Sequence, residues 1–457
     1  MGRVMADTAR LGTAGDGAPR TVVVGLGRTG LSVVRYLHAR GVPVAVTDSR
    51  LSPPGLAELR RELPDVPVGV GGFDAAMIAV AERVVLSPGV ARTDPALAPL
   101  LHPEVPVLGD IELFARAARA AVAAITGSNG KSTVTSMLGS MAAAAGYDAR
   151  VGGNIGTPAL ELLRRREPDL YVLELSSFQL ETTVSLDAAA AVVLNVSPDH
   201  LDRHGSLQAY AAAKQRIYAG SGTAVINADD PLVAAMVPED RAVLRFRLGR
   251  PGPGEYGRLE RRGEPWLARG DEPLLRQSEL AVSGLHNVAN ALAALAMGEA
   301  LGLARDAMLR ALGAFAGLAH RTQLVGASGG VRFFDDSKGT NVGASVAAIR
   351  GMPGPVVLIA GGEAKDGDFS PLREAARDRV HTAVLIGRDA PLIEAALAGV
   401  AHTLRAPSME EAVRLAAGAA RPGDSVLLSP ACASFDMFRD YQDRGERFAR
   451  AVRELTG

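Results

Sequence analysis

Three times along the chain a new series of short β-rich runs begins, each run followed by an alanine-rich stretch with helical spacing of its apolar residues. This alternation restricts the fold to stacked βαβ units around parallel sheets. The first series opens with Thr21-Val-Val-Val-Gly25, passes through a helix pattern from Leu31 to Arg40 closed by Gly41, and reaches a strand from Val42 to Asp48. The second has strands at Ala121 to Ile125, Leu170 to Leu175, Ala189 to Val196 and Thr223 to Asn227, with a Gly/Pro-rich β excursion between Arg241 and Ser283 and a helix from Asn287 to Leu301. The third has strands near Val331 to Phe334, Pro355 to Ala360, Thr382 to Ile386 and Ser425 to Leu428. A length of 457 residues exceeds what one hydrophobic core organises. Divisions near 109 and 317 follow, after a flexible tail over residues 1–20.

With 49 Lys and Arg against 50 Asp and Glu, the net charge of -1 argues against a general attraction to nucleic acid or to an anionic membrane. An anionic ligand must be held locally. The single cysteine, Cys432, cannot form an intramolecular disulfide, which fits a reducing compartment. No run has signal-peptide or membrane-spanning character, so no membrane insertion and a cytoplasmic location are expected.

Ile125-Thr-Gly-Ser-Asn-Gly-Lys-Ser-Thr133 lies between an apolar strand and a helix pattern from Val134 to Ala145. Backbone N–H groups converging at a helix N-terminus bind phosphate. Lys131 would neutralise β/γ-phosphate oxygens, and the Ser132 hydroxyl can ligate Mg²⁺. The bland alternative is a glycine turn with a solvated lysine, which the strand-loop-helix context disfavours. Glu174 ends an apolar strand, where a carboxylate needs a partner. Asp199, His200 and Asp202 follow the next strand, where ligands of α/β proteins collect. Each taken alone is more simply a satisfied hydrogen-bonding group. Lys214 falls on a helical stripe with Leu207, Tyr210, Ala211, Ile217 and Tyr218. It can snorkel to water, lie near the phosphates, or carry CO₂ as a metal-binding carbamate.

Several segments together resemble the Mur ligase family: Gly127-Ser-Asn-Gly-Lys-Ser-Thr133, Gly152-Gly-Asn-Ile-Gly156, Leu173-Glu-Leu-Ser-Ser-Phe-Gln-Leu180, Asp199-His-Leu-Asp202, Ala212-Ala-Lys-Gln-Arg216, His286-Asn-Val-Ala-Asn290, Asp336-Ser-Lys-Gly-Thr-Asn341 and Ser429-Pro-Ala-Cys-Ala-Ser434. The Ser-Ser-Phe-Gln and Ser-Pro-Ala-Cys-Ala-Ser texts, with Gly25-Leu-Gly-Arg-Thr-Gly-Leu-Ser32, are closest to the branch that joins D-glutamate to UDP-N-acetylmuramoyl-L-alanine. The resemblance implies an α/β fold of three domains: a Rossmann-like UDP-sugar domain over 21–109, a central phosphate-loop ATPase domain with a parallel sheet over 110–317, and a Rossmann-like amino-acid domain over 318–457. It also implies a monomer that uses ATP and two Mg²⁺ ions.

By the same resemblance, Gly127, Ser128, Asn129, Gly130, Lys131, Ser132, Thr133, Asn287, Asn290, Arg321 and Asp336 would contact ATP. Arg28, Thr29, Asp48, Ser49, Arg50, Ser87 and Asn154 would hold the UDP-substrate. Lys338, Thr340, Lys365, Ser434, Phe435 and Tyr441 would receive D-glutamate. Ser132, Glu174, His200 and carbamylated Lys214 would hold the metals, with Lys131, His200 and Lys214 catalytic. Arg28 stands where the family has an apolar residue, and Tyr441 where it has phenylalanine. Two rival classes remain in view. Gly25-x-Gly27-x-x-Gly30 with Asp48 also suits a nicotinamide-dependent oxidoreductase, though it leaves Gly127 to Thr133 unexplained. A non-catalytic nucleotide switch would need the phosphate loop but not Lys338, Thr340 and Ser434.

Overall fold

The computed structural model describes residues 21–163, 166–364 and 368–456. The expected tail over 1–20 lies outside them. The chain divides into two compact units, one comprising the residues up to Thr126 with Tyr147–Ala191 and Ala212–Thr223, the other Gly127–Gly146, Val192–Ala211 and everything from Ala224 on.

In the first unit a five-stranded parallel sheet runs in the order Val68–Val70, Val44–Asp48, Thr21–Val24, Arg83–Leu86, Val107–Gly109. The central strand is fully buried, as its unbroken valine run requires of a strand covered on both faces. Connections leave it in opposite directions, so the sheet has a switch point beside Gly25 at the strand's C-terminal end. The helix Arg28–His38 starts three residues before the apolar pattern does, because Arg28, Thr29 and Gly30 form its first turn without adding to the stripe. It ends at His38, two residues short of the expected Arg40, and the turn that follows is closed by Gly41, whose φ is +71° and whose N–H bonds to the His38 carbonyl. The same unit contains a second parallel group in which Leu170–Glu174 lies between Ala149–Gly153 and Ala121–Thr126. Phe114 and Tyr171 pack edge to face beneath it at 5.0 Å.

In the second unit the helix Lys131–Ala144 also begins three residues earlier than its apolar pattern, for the same reason: Lys131, Ser132 and Thr133 form a polar first turn. The strand Ala190–Val193 is shorter than its apolar run, since Asn195 turns away to accept hydrogen bonds from the phosphate loop. The Gly/Pro-rich excursion forms Tyr256–Arg261, Glu264–Arg269 and Glu272–Arg276, paired antiparallel. Its first turn is Arg262-Gly263, both at positive φ, the geometry of a two-residue hairpin. A six-stranded sheet follows in the order Gln323–Ser328, Val331–Asp335, Ser425–Leu428, Val356–Gly361, Val380–Ile386, His402–Arg405, parallel except for its first strand. Apolar clusters cover both faces, Ile349, Leu372 and Ile393 on one and Val413, Phe448 and Val452 on the other. Among the described residues no helix is long and apolar enough to cross a membrane.

Gly30 shows how tightly the first helix approaches its sheet: a Cβ there would lie 1.9 Å from the Gly25 carbonyl oxygen and 2.7 Å from Ser87 Oγ. Gly30→Ala must displace backbone, at a cost of about 1–3 kcal/mol. Denaturant unfolding of the variant checks this, and an unchanged midpoint would contradict the packing described.

Candidate active site

The loop Gly127–Gly130 leaves the strand Ala121–Thr126 and enters the helix Lys131–Ala144 through Gly130, at φ +85°. A Cβ on Gly130 would meet Asn290 Oδ1 at 2.3 Å, so only glycine fits this approach. The Asn195 carbonyl accepts Ser128 N–H at 2.9 Å, and Asn195 Oδ1 accepts Asn129 N–H at 2.8 Å. Lys131 donates to the carbonyls of Gly127 and Ser128 at 2.8 and 3.0 Å, which folds its ammonium back over the loop. Arg321 donates to Ser132 Oγ at 2.6 Å.

Asn129, Gly130, Asn195, Asn290 and Arg321 border a cavity of about 330 Å³. Of the expected ATP residues, Asn129, Gly130, Thr133, Asn287, Asn290, Arg321 and Asp336 line it; Lys338, expected at the amino-acid site, lines it as well. Gly127 and Ser128 belong to the loop, and Lys131 and Ser132 to the first helical turn, without lining the cavity. Arg321 sits between His320 and Thr322, whose φ values of +61° and +50° are rare for non-glycine residues, and rarer still for a β-branched one. The buried Asp336 carboxylate secures this stretch by accepting Thr322 N–H at 3.1 Å, Thr322 Oγ1 at 3.2 Å and Ser429 Oγ at 2.7 Å. Burial pushes its pKa up to about 7, against the lowering effect of those bonds and of Arg321. His286, also lining the cavity, is pushed down to about 4 by desolvation.

Sequence reasoning missed Asn195, Asn227, Asp230 and Thr322 at this cavity. Asp230 accepts from Val196 N–H at 2.7 Å and caps the short helix Pro231–Ala234. An Asp-Pro text signals such a cap, but not that the cap borders a site.

Near the amino-acid residues, Lys338 Nζ stands 4.0 Å from the centre of the Tyr441 ring. Ser434 is buried, Thr340 is half-buried, and Phe435 is 70% exposed. Lys365 lies outside the described residues. Arg444, which the sequence did not single out, has no accessible surface and donates to Ser337 Oγ, Ser337 O, Cys432 O and Ala433 O.

In the first unit a second cavity, about 510 Å³, lies at the switch point. Arg28, Thr29, Asp48, Ser49, Arg50, Ser87 and Asn154 all line it, which are all seven residues expected at the UDP-substrate. Asp48 takes both arms of the Arg50 guanidinium, at 2.9 and 2.7 Å, and Leu26 N–H at 2.7 Å. Burial works to raise the Asp48 carboxyl, but these bonds outweigh it and hold it below the usual range. Arg28 donates to the Gly156 carbonyl. Gln179, also lining the cavity, donates to the buried Asp110, whose carboxyl burial raises to about 6.

Of the expected metal residues, Glu174 accepts Asn154 Nδ2 at 2.8 Å through Oε1, while its buried Oε2 has no hydrogen-bond partner among the described residues. A buried hard oxygen of this kind fits Mg²⁺. His200 has a left-handed backbone, φ +53°, and a side chain 35% exposed. Lys214 is 1% exposed, which removes the snorkelling reading. Among the described residues no three His, Cys, Asp or Glu side chains cluster at metal-binding spacing.

A glycine-clamped strand-loop-helix turn beside one cavity, with a second polar cavity at the switch point of a parallel sheet, defines an α/β protein of the phosphate-loop type. Family models match the chain as Mur ligase MurD-like, N-terminal domain over residues 19–109, Mur ligase middle domain over 125–298, and Mur ligase, glutamate ligase domain over 320–432. The chain belongs to the Mur ligase family, as its motifs indicated. It is 58% identical to the UDP-N-acetylmuramoylalanine--D-glutamate ligase of Nitrosococcus oceani, over 96% of this chain and 97% of that protein. Proteins of the same name from Methylococcus capsulatus (51%, covering 96% of each chain) and Pseudomonas aeruginosa (50%, covering 95% and 98%) are also similar. Among solved structures, UDP-N-acetylmuramate-alanine ligase from Thermotoga maritima shares the fold at TM-score 0.58 and 19% identity, over 95% of this chain and 99% of that one. A pseudomurein peptide ligase type C from Methanothermus fervidus does so at TM-score 0.57 and 18% identity, over 96% and 100%. The Gly25-x-Gly27-x-x-Gly30 text thus belongs to a Mur ligase N-terminal domain, and the oxidoreductase reading is set aside.

The two perturbed groups of the first cavity leave opposite marks on stability. From pH 3.8 to about 7, native Asp336 keeps a proton that the unfolded chain has released, so its contribution falls as pH rises. From about 4 to 6.5, native His286 is neutral while the unfolded histidine is protonated, so its contribution grows as pH rises. Relative to wild type, Asp336→Asn should gain stability with rising pH across the first window and His286→Gln should lose it across the second. Denaturant midpoints measured from pH 4 to 8 check both signs.

Proposed function

We propose that this chain is an ATP-dependent ligase that joins D-glutamate to UDP-N-acetylmuramoyl-L-alanine through an acyl phosphate, as a monomer, in a cytoplasmic step of peptidoglycan precursor synthesis. The observation that carries this reading is the 58% identity, over nearly the whole length of both chains, to a relative bearing that enzyme's name. In this reading residues 21–109 hold the UDP-sugar, 110–317 hold ATP, and 318–457 receive the amino acid. The lining of the two cavities supports it.

A carboxylate resists attack by an amine because its oxyanion is a poor leaving group. Transfer of the γ-phosphoryl group of ATP to the L-alanyl carboxylate converts that oxygen into a phosphate leaving group. The loop amides of Gly127–Thr133 hold the phosphates, and Lys131 moves from its loop carbonyls to neutralise the transferring group. Arg321 and Asp336 hold the nucleotide at the cavity they share. The amine of D-glutamate then attacks the acyl carbon, expels phosphate through a tetrahedral intermediate, and loses a proton to leave the amide. Lys338, with the loop around Ser434, grips the glutamate carboxylates and orients the amine.

Ser132, Glu174, His200 and Lys214 would hold two Mg²⁺ ions, which supply positive charge beside the phosphate oxygens. An ammonium on Lys214 is costly at 1% exposure and would repel a cation. A carbamate made with CO₂ turns it into a pair of hard oxygens.

Two outcomes are expected. Phosphate release should require ATP, UDP-N-acetylmuramoyl-L-alanine and D-glutamate together and vanish in Lys131→Ala; equal turnover with L-glutamate or a diamino acid would refute the assignment. Lys214→Ala should lose most activity while keeping its circular dichroism spectrum, and regain part of it with a small carboxylic acid at high concentration. Full activity of that variant, or of enzyme depleted of CO₂ and bicarbonate, would rule the carbamate out.

A further inference from the structure

The cavity beside the phosphate loop has walls from distant parts of the chain. One includes Asn129, Leu194, Asn195 and Ser197, and another includes Lys338, Gly339, Gly343 and Ala344. Asn341 stands in sequence between the residues of this second wall but does not line the cavity. It is the N-cap of the helix Val342–Gly351, its Oδ1 accepting Ala344 N–H at 2.8 Å. That bond fixes which end of the amide carries oxygen. Its Nδ2 donates to Asp199 Oδ2 at 3.1 Å and to Asn129 Oδ1 at 3.3 Å, and Asn129 Nδ2 returns a bond to Asn341 Oδ1 at 3.4 Å. One amide thus reaches groups 142 and 212 residues away while it caps its own helix.

The junction is close. A Cβ on Gly343 would lie 2.8 Å from Ser197 Oγ and 3.5 Å from Asn129 Nδ2. Ser197 is itself tied to the phosphate loop, its N–H donating to Ser128 Oγ at 2.9 Å and its carbonyl accepting from that hydroxyl at 3.0 Å. Asn195 holds the main chain of Asn129, so Asn341 acts on the Asn129 side chain. The Asp199 side chain is 11% exposed, and its bond from Asn341 is charge-assisted, the stronger kind. A neutral amide suits this place because its oxygen can cap the helix while its nitrogen donates to a carboxylate.

We infer that Asn341 is a positioning residue for nucleotide binding: it holds the two walls of the cavity in register and orients the Asn129 side chain, without touching the nucleotide itself. The inference rests on the reading of that cavity as the ATP site. Capping and bridging are separable, because a substitute that still accepts from Ala344 N–H keeps the helix start while losing the bonds to Asp199 and Asn129.

The test is calorimetric titration of the full chain with the β,γ-imido analogue of ATP and Mg²⁺, and separately with UDP-N-acetylmuramoyl-L-alanine. Asn341→Ser keeps a capping oxygen but is too short to bridge, and Asn341→Asp keeps the cap but sets one carboxylate against another. Both should weaken nucleotide binding, Asn341→Asp by about tenfold, the scale of losing one charge-assisted hydrogen bond. Affinity for the UDP-substrate should stay within about twofold, since its expected cavity lies in the first unit, far from the change. In an Asp199→Asn background carboxylate and amide have exchanged places, so Asn341→Asp should cost less than about threefold there. Because each comparison is made within one background, a direct effect of Asp199→Asn on its own neighbours cancels. Nucleotide affinity unchanged in Asn341→Ser would reduce Asn341 to a helix cap and overturn the inference. So would equal losses for both ligands, the mark of general structural damage, or the same cost of Asn341→Asp in both backgrounds. A wild-type chain that binds no nucleotide would instead overturn the reading of the cavity, and the inference with it.

Discussion

The phosphate loop closes only because two of its residues lack side chains. A Cβ on Gly130 would press within 2.3 Å of Asn290 Oδ1, and one on Gly127 within 2.9 Å of Leu194 Cβ, so the main chain runs where any other residue would be shut out. What surrounds the loop is arranged by that proximity. Asn195 spends its carbonyl and its side chain on loop amides, Arg321 reaches the Ser132 hydroxyl, and Asn129 meets Asn341 through side-chain amides at 3.3 and 3.4 Å. A loop held from so many directions presents its amides in one orientation, which is what recognition of a phosphate without reorganisation requires.

The second unit also buries charge. Leaving a carboxylate or guanidinium without partners in an interior costs several kcal/mol, so each must be compensated locally. Asp336 accepts three hydrogen bonds and stays protonated well above the usual range. Arg444 meets its need with carbonyl oxygens and one hydroxyl, and desolvation lowers its pKa to about 10. Both partner sets include segments far apart in sequence. These groups thus act as joints: each ties together segments that continue beyond the ends of the sheet's strands.

The difference between what could and could not be read from the sequence follows the same line. The three βαβ series were legible because apolar periodicity is local, and the phosphate loop because a strand, glycines, a lysine and a helix stand in unbroken order. The interior place of Lys214 was legible too, since a helical stripe assigns its face, and the side chain is indeed 1% exposed. The polar first turns at Arg28 and Lys131 were read as loop, because they contribute nothing to an apolar pattern although their backbones are already helical. Arg444 was invisible: it sits in a helix so rich in charge that one more arginine reads as solvated, and its partners are mostly main-chain carbonyls, which leave no trace in residue identity. Asp230 escaped notice because a cap beside a cavity has the same text as a cap beside water, and Asn195 because its partners are main-chain groups of a loop distant in sequence.

Arg444 has a consequence for how the protein comes into being. Four acceptors, on Ser337, Cys432 and Ala433, depend on a side chain that leaves the ribosome after all of them and more than a hundred residues after the first. The sheet can gather its earlier strands during translation, but the turn after Asp336 and the Ser429–Ser434 loop lack this common tie until the final helix has been made. The region assembles last what it holds most deeply, and a nascent chain interrupted before Arg444 carries that region without the guanidinium that joins Ser337 to Cys432 and Ala433.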